Sequence, residues 1–391
     1  MDATTGMSAL TVVDRRTLHR ERYAYCAHPH LAVLADGTWL LVFNRAPRRA
    51  LILHPPQDPE YRNVLMRSED EGRSWSAAAV VPDYGWNGVE CAGLTALKSG
   101  RALLNQWRFE WLPLPEAASS GRGDLVLPER LFADLVRSPE LDAFCASAAE
   151  APAAKFPWAR GGGVAAVHLS DDGGRTFFAT HRIATGAFSG GYGMRGGVEL
   201  PNGDIILPLS DAPSYRQVYV VRSRDGGQTW SSPRLAAAGD GHEFEEPAPL
   251  LLPSGRIVLA LRDNATRRLH CVASTDGGET WSQPRPTKIE GYPAHLLRLA
   301  DGRYLCVVGR RRTPFAIVAY FSDDAETWGP AVPVVDDLLN KDLGYPTVAQ
   351  RKNGDLAIVY YAQDRDGVTG IEIATARLAY ETRRGDRHVA R

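Results

Sequence analysis

Short runs rich in Val, Ile, Leu and Tyr alternate with clusters of Gly, Asp, Asn and Ser along almost the whole chain. That is the pattern of β-strands separated by tight turns. Residues 248–262 (APLLLPSGRIVLALR) show the unit: two apolar runs around Ser254-Gly255, a hairpin in which glycine supplies the positive φ. The same arrangement recurs at Asp36-Gly37, Ser99-Gly100, Asn202-Gly203, Asp301-Gly302 and Asn353-Gly354. Six hairpins therefore mark six repeating units.

A second turn interleaves with the first. Its pattern is Ser-X-Asp-X-Gly-X-Thr-Trp, seen at residues 68–75 (SEDEGRSW), 170–177 (SDDGGRTF), 223–230 (SRDGGQTW), 274–281 (STDGGETW) and, one residue short, 322–328 (SDDAETW). The carboxylate of Asp225 or Asp276 is placed to accept N–H groups of its own turn, while the glycines allow the reversal and the aromatic residue returns to an apolar surface. Asp-X-Asp-Gly spacing also opens a calcium loop, but none of these continues to a glutamate at the twelfth position. The boxed turns are expected to be structural, with no metal and no cofactor.

With strands A to D in each unit, the Gly hairpin joins A to B and the boxed turn joins C to D. Units of about fifty residues built this way are blades of a propeller. The expectation is an all-β, six-bladed β-propeller spanning residues 1–391 as a single domain. The last unit runs out of chain before its fourth strand, so the early run Leu10-Thr11-Val12-Val13 is the natural donor that closes the ring. One segment, residues 110–162, breaks the rhythm as an insertion in the second blade. It carries helical signals, with Ser138 as N-cap, Pro139 at the first helical position and Leu141 and Phe144 on one face. As a B–C loop it is expected to be a lid.

Both sets of turns lie on one face, so the starts of A strands and the ends of B strands lie on the other. Counting back nine residues from each hairpin glycine gives His28, Cys91, Met194, Glu246, Pro293 and Tyr345. Counting forward seven gives Asn44, Trp107, Ser210, Arg262, Gly309 and Tyr361. By period-two alternation His30 and His295 face the same way as the first ring. Titratable residues thus gather at one mouth.

Composition narrows the partners. The chain is 44% hydrophobic and 23% charged, with a net charge of -1, which gives no reason to expect nucleic acid or an anionic membrane. Cys26, Cys91, Cys145, Cys271 and Cys306 are odd in number and lack C-x-x-C spacing, as reduced, buried thiols would be. The first residues lack a basic start followed by an apolar stretch, and no window has the apolar length of a membrane span, so a cytoplasmic location is expected. Nothing sets the oligomeric state.

The boxed turns resemble the Asp boxes of the sialidase (neuraminidase) superfamily, over nearly the whole chain. Asp boxes are specific for fold and weak for activity. In that family a tyrosine nucleophile is activated by a glutamate, an aspartate is the acid/base, and three arginines clamp the substrate carboxylate. The resemblance implies Tyr345 (in GYPT) as nucleophile, Glu246 (in EEPAPLLLPSGR) as its activator, Asp58 as acid/base and Arg262 as a clamp arginine. Arg310, Arg311 and Arg312 supply the third clamp position without spacing choosing between them. A phenol with a pKa near 10 needs such a base at neutral pH, and guanidinium forks suit a planar carboxylate. The family's first clamp arginine, in a Phe/Tyr-Arg-Ile-Pro motif, has no counterpart, because Tyr25-Cys26-Ala27-His28-Pro29 stands there. Arg45 is the nearest substitute, and His28, His30 and His295 point to an altered substrate or chemistry.

Three functions compete on these residues. The first is an exo-glycosidase hydrolysing a terminal acidic sugar through Tyr345 and Glu246. The second is an oligosaccharide lyase in which a mouth histidine abstracts the proton alpha to a uronate carboxylate. The third is a non-catalytic glycan binder using Trp86, Trp107 and Trp111 as stacking platforms.

Overall fold

The computed structural model describes residues 9–49, 57–82, 87–89, 92–131, 157–212 and 214–379. They form a six-bladed β-propeller of antiparallel sheets. The first blade is Ala24–Val33, Trp39–Pro47, Arg62–Ser68 and Ala79–Val80. In the second, the A strand is split into Asn87–Val89 and Gly93–Ala96, followed by Ala102–Pro113, Trp158–Ser170 and Ala179–Arg182. The third is Val198–Glu199, Ile205–Ser210, Val218–Ser223 and Arg234–Ala237, and the fourth Phe244–Leu251, Ile257–Asp263, Arg268–Ser274 and Arg285–Pro286. The fifth is Ala294–Arg298, Tyr304–Arg310, Ala316–Ser322 and Val332–Val335.

The sixth blade closes the ring as its missing strand required. Gly344–Gln350, Leu356–Gln363 and Thr369–Ala379 are joined by Ala9–Arg20, paired in register from Ala9 with Ala379 to Arg20 with Gly370. The donor strand extends well past Leu10–Val13. Its two bulges, between Val12 and Asp14 and between Thr17 and His19, let it follow the twist of the outer edge.

The core lies between blades. Ile257, Leu259 and Leu261 pack against the third blade while Val258 and Ala260 on the same strand pack against the fifth. This explains why the strand reads as a continuous apolar run: both of its faces are buried. Full burial of each such side chain stabilises by about 1.5–3 kcal/mol.

On the opposite face from the mouth, each boxed turn is tied as expected. In the third blade Asp225 accepts from the N–H groups of Gln228 (3.0 Å) and Thr229 (2.9 Å), and Ser223 accepts from Gly227 N (2.8 Å). Burial opposes ionisation of Asp225, yet the Thr229 and Ser223 hydrogen bonds bring it down to about 2. Arginines also stitch these turns to the next blade: Arg67 donates to Gly173 O, Arg222 to Gly277 O and Arg351 to Glu71 O.

The insertion joins the B and C strands of the second blade, which pair as far as Pro113 and Trp158. Its described part adds two short helices, Leu114–Ser119 and Pro128–Leu131. The helix expected from Ser138, Pro139, Leu141 and Phe144 lies outside the described residues. No helix among the described residues is long and apolar enough to cross a membrane. Cys26, Cys271 and Cys306 are free thiols.

Candidate functional site

Three A strands start alike. His28-Pro29, Glu246-Pro247 and Tyr345-Pro346 each sit at a break in pairing, between Ala27 and His30, Glu245 and Ala248, and Gly344 and Thr347. Proline brings no N–H to the ladder, so a bulge forms at these places. The residue before each proline is left-handed, with φ of 58° at His28, 52° at Glu246 and 45° at Tyr345. Such a conformation costs about 1–3 kcal/mol per residue and persists only where its surroundings enforce it. The three bulges turn their side chains into one mouth.

There the Tyr345 hydroxyl donates to Glu246 Oε1. Glu246 Oε2 accepts from Arg262 Nη1 at 3.1 Å, and its backbone N–H donates to Ser210 Oγ at 2.9 Å. Arg262 also pairs with Glu245 (3.2 Å) and lies over the Tyr292 ring at 4.4 Å. The His28 ring meets the Tyr345 ring edge-on at 4.3 Å, and its Nδ1 is 3.3 Å from Asn44 Oδ1. Gly309 and Gly344 let the fifth and sixth blades touch backbone to backbone beside Tyr345: a Cβ on Gly309 would lie 3.0 Å from Gly344 Cα.

Of the three consecutive arginines, the structure brings Arg311 to the site. Its guanidinium lies 5.3 Å from the Tyr345 ring centre and donates to Leu343 O (3.1 Å) and Tyr361 Oη (3.3 Å). Arg310 is turned outward to Pro314 O, and Arg312 is an exposed partner of Glu290. Burial alone would lower Arg262 and Arg311; Glu246 and Glu245 raise the first, and Tyr361 and Tyr345 the second. Both stay cationic.

Other expected residues lie elsewhere. Arg45 is committed to Glu21 through Nε (2.8 Å) and Nη2 (2.6 Å). Asp58 is buried, with Arg49 on its Oδ2 at 2.5 Å and the Glu60 N–H on its Oδ1 at 2.9 Å. His30 and His295 sit side by side, ring centres 5.5 Å apart, each accepting a backbone N–H from another blade, Leu94 and Val348 respectively. Burial lowers both, His295 to about 3, so both are neutral wedges between blades. Trp107 and Trp111 are corrections to the stacking-platform reading. Both are buried, and Trp107 fills the slot left by Gly163 and Gly190, so no ring face is offered to a sugar. Trp86 lies outside the described residues.

Several site residues had escaped sequence reasoning. Glu245 stands beside Glu246 in the doubled glutamate, and burial together with the Glu246 charge pushes it up to about 7. Asp342, from the loop before the sixth A strand, accepts from Tyr361 Oη (3.0 Å), Tyr25 Oη (3.2 Å) and Gln363 Nε2 (3.0 Å). Arg195 crosses the centre from the third blade, donating to Ala294 O (2.8 Å), Pro29 O (3.2 Å) and Pro346 O (3.0 Å). Two of these carbonyls directly follow His28 and Tyr345. The available signal was the glycine cluster around it, Gly193, Gly196 and Gly197, which clears space for neighbouring backbone.

The chemistry available is a phenol bonded to a carboxylate, two guanidinium groups against them, and an imidazole on the phenol's edge. A profile of BNR repeat-like domains matches residues 154–358. A protein of unknown function from Dyadobacter fermentans has a similar structure (TM-score 0.76, 22% identity, 95% of this chain and 100% of that one). The NanB sialidase of Streptococcus pneumoniae superposes with a TM-score of 0.64 at 14% identity, over 92% of this chain and 70% of its own. The intramolecular trans-sialidase of Ruminococcus gnavus gives 0.63 at 16% identity, over 93% and 96%. At these identities the likeness is one of fold. No curated protein matches the chain in sequence.

Proposed function

Because the chain belongs to the BNR repeat-like family and has the propeller of the sialidase superfamily, we propose that it is a glycoside hydrolase removing a terminal acidic sugar through Tyr345. The observation that carries the reading is the direct hydrogen bond from the Tyr345 phenol to Glu246, made by two strained residues from different blades. In the first half-reaction Glu246 takes the phenol proton as the Tyr345 oxygen bonds to the anomeric carbon and the aglycone oxygen leaves. By the family resemblance Asp58 is assigned the proton delivered to that oxygen; held away from Tyr345 against Arg49, it must leave that contact and take up a proton before it reaches the substrate. Water, giving its proton to the Asp58 carboxylate, then bonds to the anomeric carbon as the bond to the Tyr345 oxygen breaks, and the phenol regains its proton from Glu246. Sialidases use tyrosine where most glycosidases use a carboxylate.

Arg262 and Arg311 are the two cations set to hold the sugar carboxylate. The third arm found in sialidases is absent, since Ala27 and His28 occupy that stretch. The edge contact between His28 and Tyr345 favours one second reading, a uronate lyase with His28 as base and Tyr345 protonating the leaving oxygen.

Intact-protein mass spectrometry with a fluorinated, slowly released acidic-sugar analogue separates the two, alongside product analysis on sialosides and uronate-terminated oligosaccharides. An adduct that disappears in Tyr345→Phe supports the hydrolase. Turnover with no adduct and an ultraviolet-absorbing unsaturated product would replace it with the lyase. Wild-type turnover by Tyr345→Phe would remove both.

A further inference from the structure

Away from Tyr345, the mouth end of the fourth blade gathers three ligand-bearing side chains from three places in the chain. His242 precedes Phe244–Leu251, Asp263 ends Ile257–Asp263 and His270 lies in Arg268–Ser274. One donor atom from each lies within 4.8 Å of the others. We propose that His242, Asp263 and His270 form a divalent-metal site selective for Zn2+.

The donor geometry fits. Asp263 Oδ2 is 2.7 Å from His242 Nδ1 and 3.7 Å from His270 Nδ1. Tetrahedral zinc with bonds of about 2.0–2.1 Å holds its donors roughly 3.3 Å apart, so one distance opens and the other closes by about half an ångström. Two imidazoles and one carboxylate are a nitrogen-rich set, unlike the all-oxygen shells of Ca2+ and Mg2+.

The surroundings prepare that set. Asp263 is fully buried, with Oδ1 accepting from the N–H groups of Glu243 (2.9 Å) and Ala265 (3.1 Å) and Oδ2 from Thr266 Oγ1 (2.7 Å). These bonds orient the carboxylate toward both rings. His270 is buried as well, and its Nδ1 has no hydrogen-bond partner. An orphaned buried nitrogen facing a carboxylate is a poor arrangement for a closed network and a ready one for a ligand. His242 is about one-third exposed, which leaves a path for the ion and room for water as the fourth ligand.

Another cluster, His19, Glu21 and Cys26, meets the same distance test but not the chemistry. Arg45 occupies both oxygens of Glu21, and burial pushes the Cys26 thiol up to about 12. A guanidinium in place and a protonated sulfur exclude a cation there.

The test is calorimetric titration of the full chain, stripped with a chelator, against ZnCl2, MgCl2 and CaCl2, with thermal melts alongside. The expected result is one Zn2+ per chain, a melting temperature that rises with Zn2+ and returns with chelator, and little response to Mg2+ or Ca2+. His242→Gln and His270→Gln, each folded by circular dichroism, are expected to weaken Zn2+ binding at least tenfold, and Cys26→Ala to leave it unchanged. Wild-type protein that binds no Zn2+, binding that survives in both histidine variants, or equal affinity for Mg2+ would overturn the proposal.

Discussion

Arg195→Met tests how the propeller holds its site. The substitution keeps the length and apolar bulk of the stem but removes the guanidinium that joins Ala294, Pro29 and Pro346 across the centre. Three buried carbonyls then lose a charged donor, at about 1–3 kcal/mol each. Part is offset, because a buried guanidinium is itself expensive to desolvate. The net destabilisation is about 3 kcal/mol. For 391 residues at about 2.1 cal/mol/K per residue, the unfolding entropy is roughly 0.8 kcal/mol/K, so the melting temperature falls by about 4 °C. Since two of the three carbonyls follow His28 and Tyr345, the folded variant is also expected to lose turnover. Arg195→Lys, whose ammonium cannot reach all three acceptors, falls between. Differential scanning calorimetry with activity per folded molecule measures both effects. A variant melting within about 1 °C of wild type with unchanged kcat/KM would refute the role.

Removing residues up to Asp14 exposes the edge of Thr369–Ala379 and should lower the melting temperature sharply and promote association; a truncated chain melting like the intact one contradicts the closure. Asp225→Ala removes a solvent-facing carboxylate with four short contacts, worth about 1–2 kcal/mol after screening, so a fall of about 2 °C with activity intact is expected. His295 has a folded pKa of about 3 against 6.5, set by burial and then by Arg195. The unfolded chain therefore takes up the proton first, and this stability, full above pH 6.5, is lost as pH falls toward 3. By pH 4.5 the loss is about 3 kcal/mol, and denaturant titrations of His295→Gln should show a correspondingly weaker pH dependence; equal slopes would count against it. At His28, with φ of 58°, glycine relieves strain that alanine retains. His28→Gly should be more stable than His28→Ala by about 1 kcal/mol in urea, the reverse of the usual order.

The blades were legible because the two turns repeat at fixed offsets, and turn chemistry is local. Counting nine residues back from Gly37, Gly255 and Gly354 reached the three residues that meet, His28, Glu246 and Tyr345, since strand length is conserved between hairpin and bulge. Arg262 followed from the forward count. The choice of Arg311 over its neighbours did not, because Arg310 ends its strand and Arg311 and Arg312 lie just beyond it, where alternation no longer sets direction. Trp107 misled for a related reason: the counting rule places a residue along a strand, but its exposure depends on Gly163 and Gly190, which come from other elements. Asp342 and Glu245 act through loop geometry and burial, which leave no period in the sequence. Arg195 was hidden because its partners are backbone carbonyls, and any residue supplies those.

Strain and support are divided among the blades in a way that stability alone does not require. Among the described residues, the other non-glycine positions with positive φ, namely Glu71, Tyr215, Arg267 and Ala325, belong to turns and loops. The equivalent places in the third and fifth blades, Met194 and Pro293, have ordinary φ. Among the described residues only the first, fourth and sixth blades bear the cost of a left-handed residue before proline, and their three side chains meet at the Tyr345 hydroxyl or ring, joined there by Arg311 from the fifth blade. The third blade instead sends Arg195, one residue past Met194, to hold the carbonyls behind two of them. A structural bulge would gain nothing from that arrangement, because an ordinary strand start would pair more backbone groups without strain. His28 shares the conformation and the anchor of Tyr345, so the residue standing in the stretch where a clamp arginine is missing belongs to the same built site as the phenol and its carboxylate.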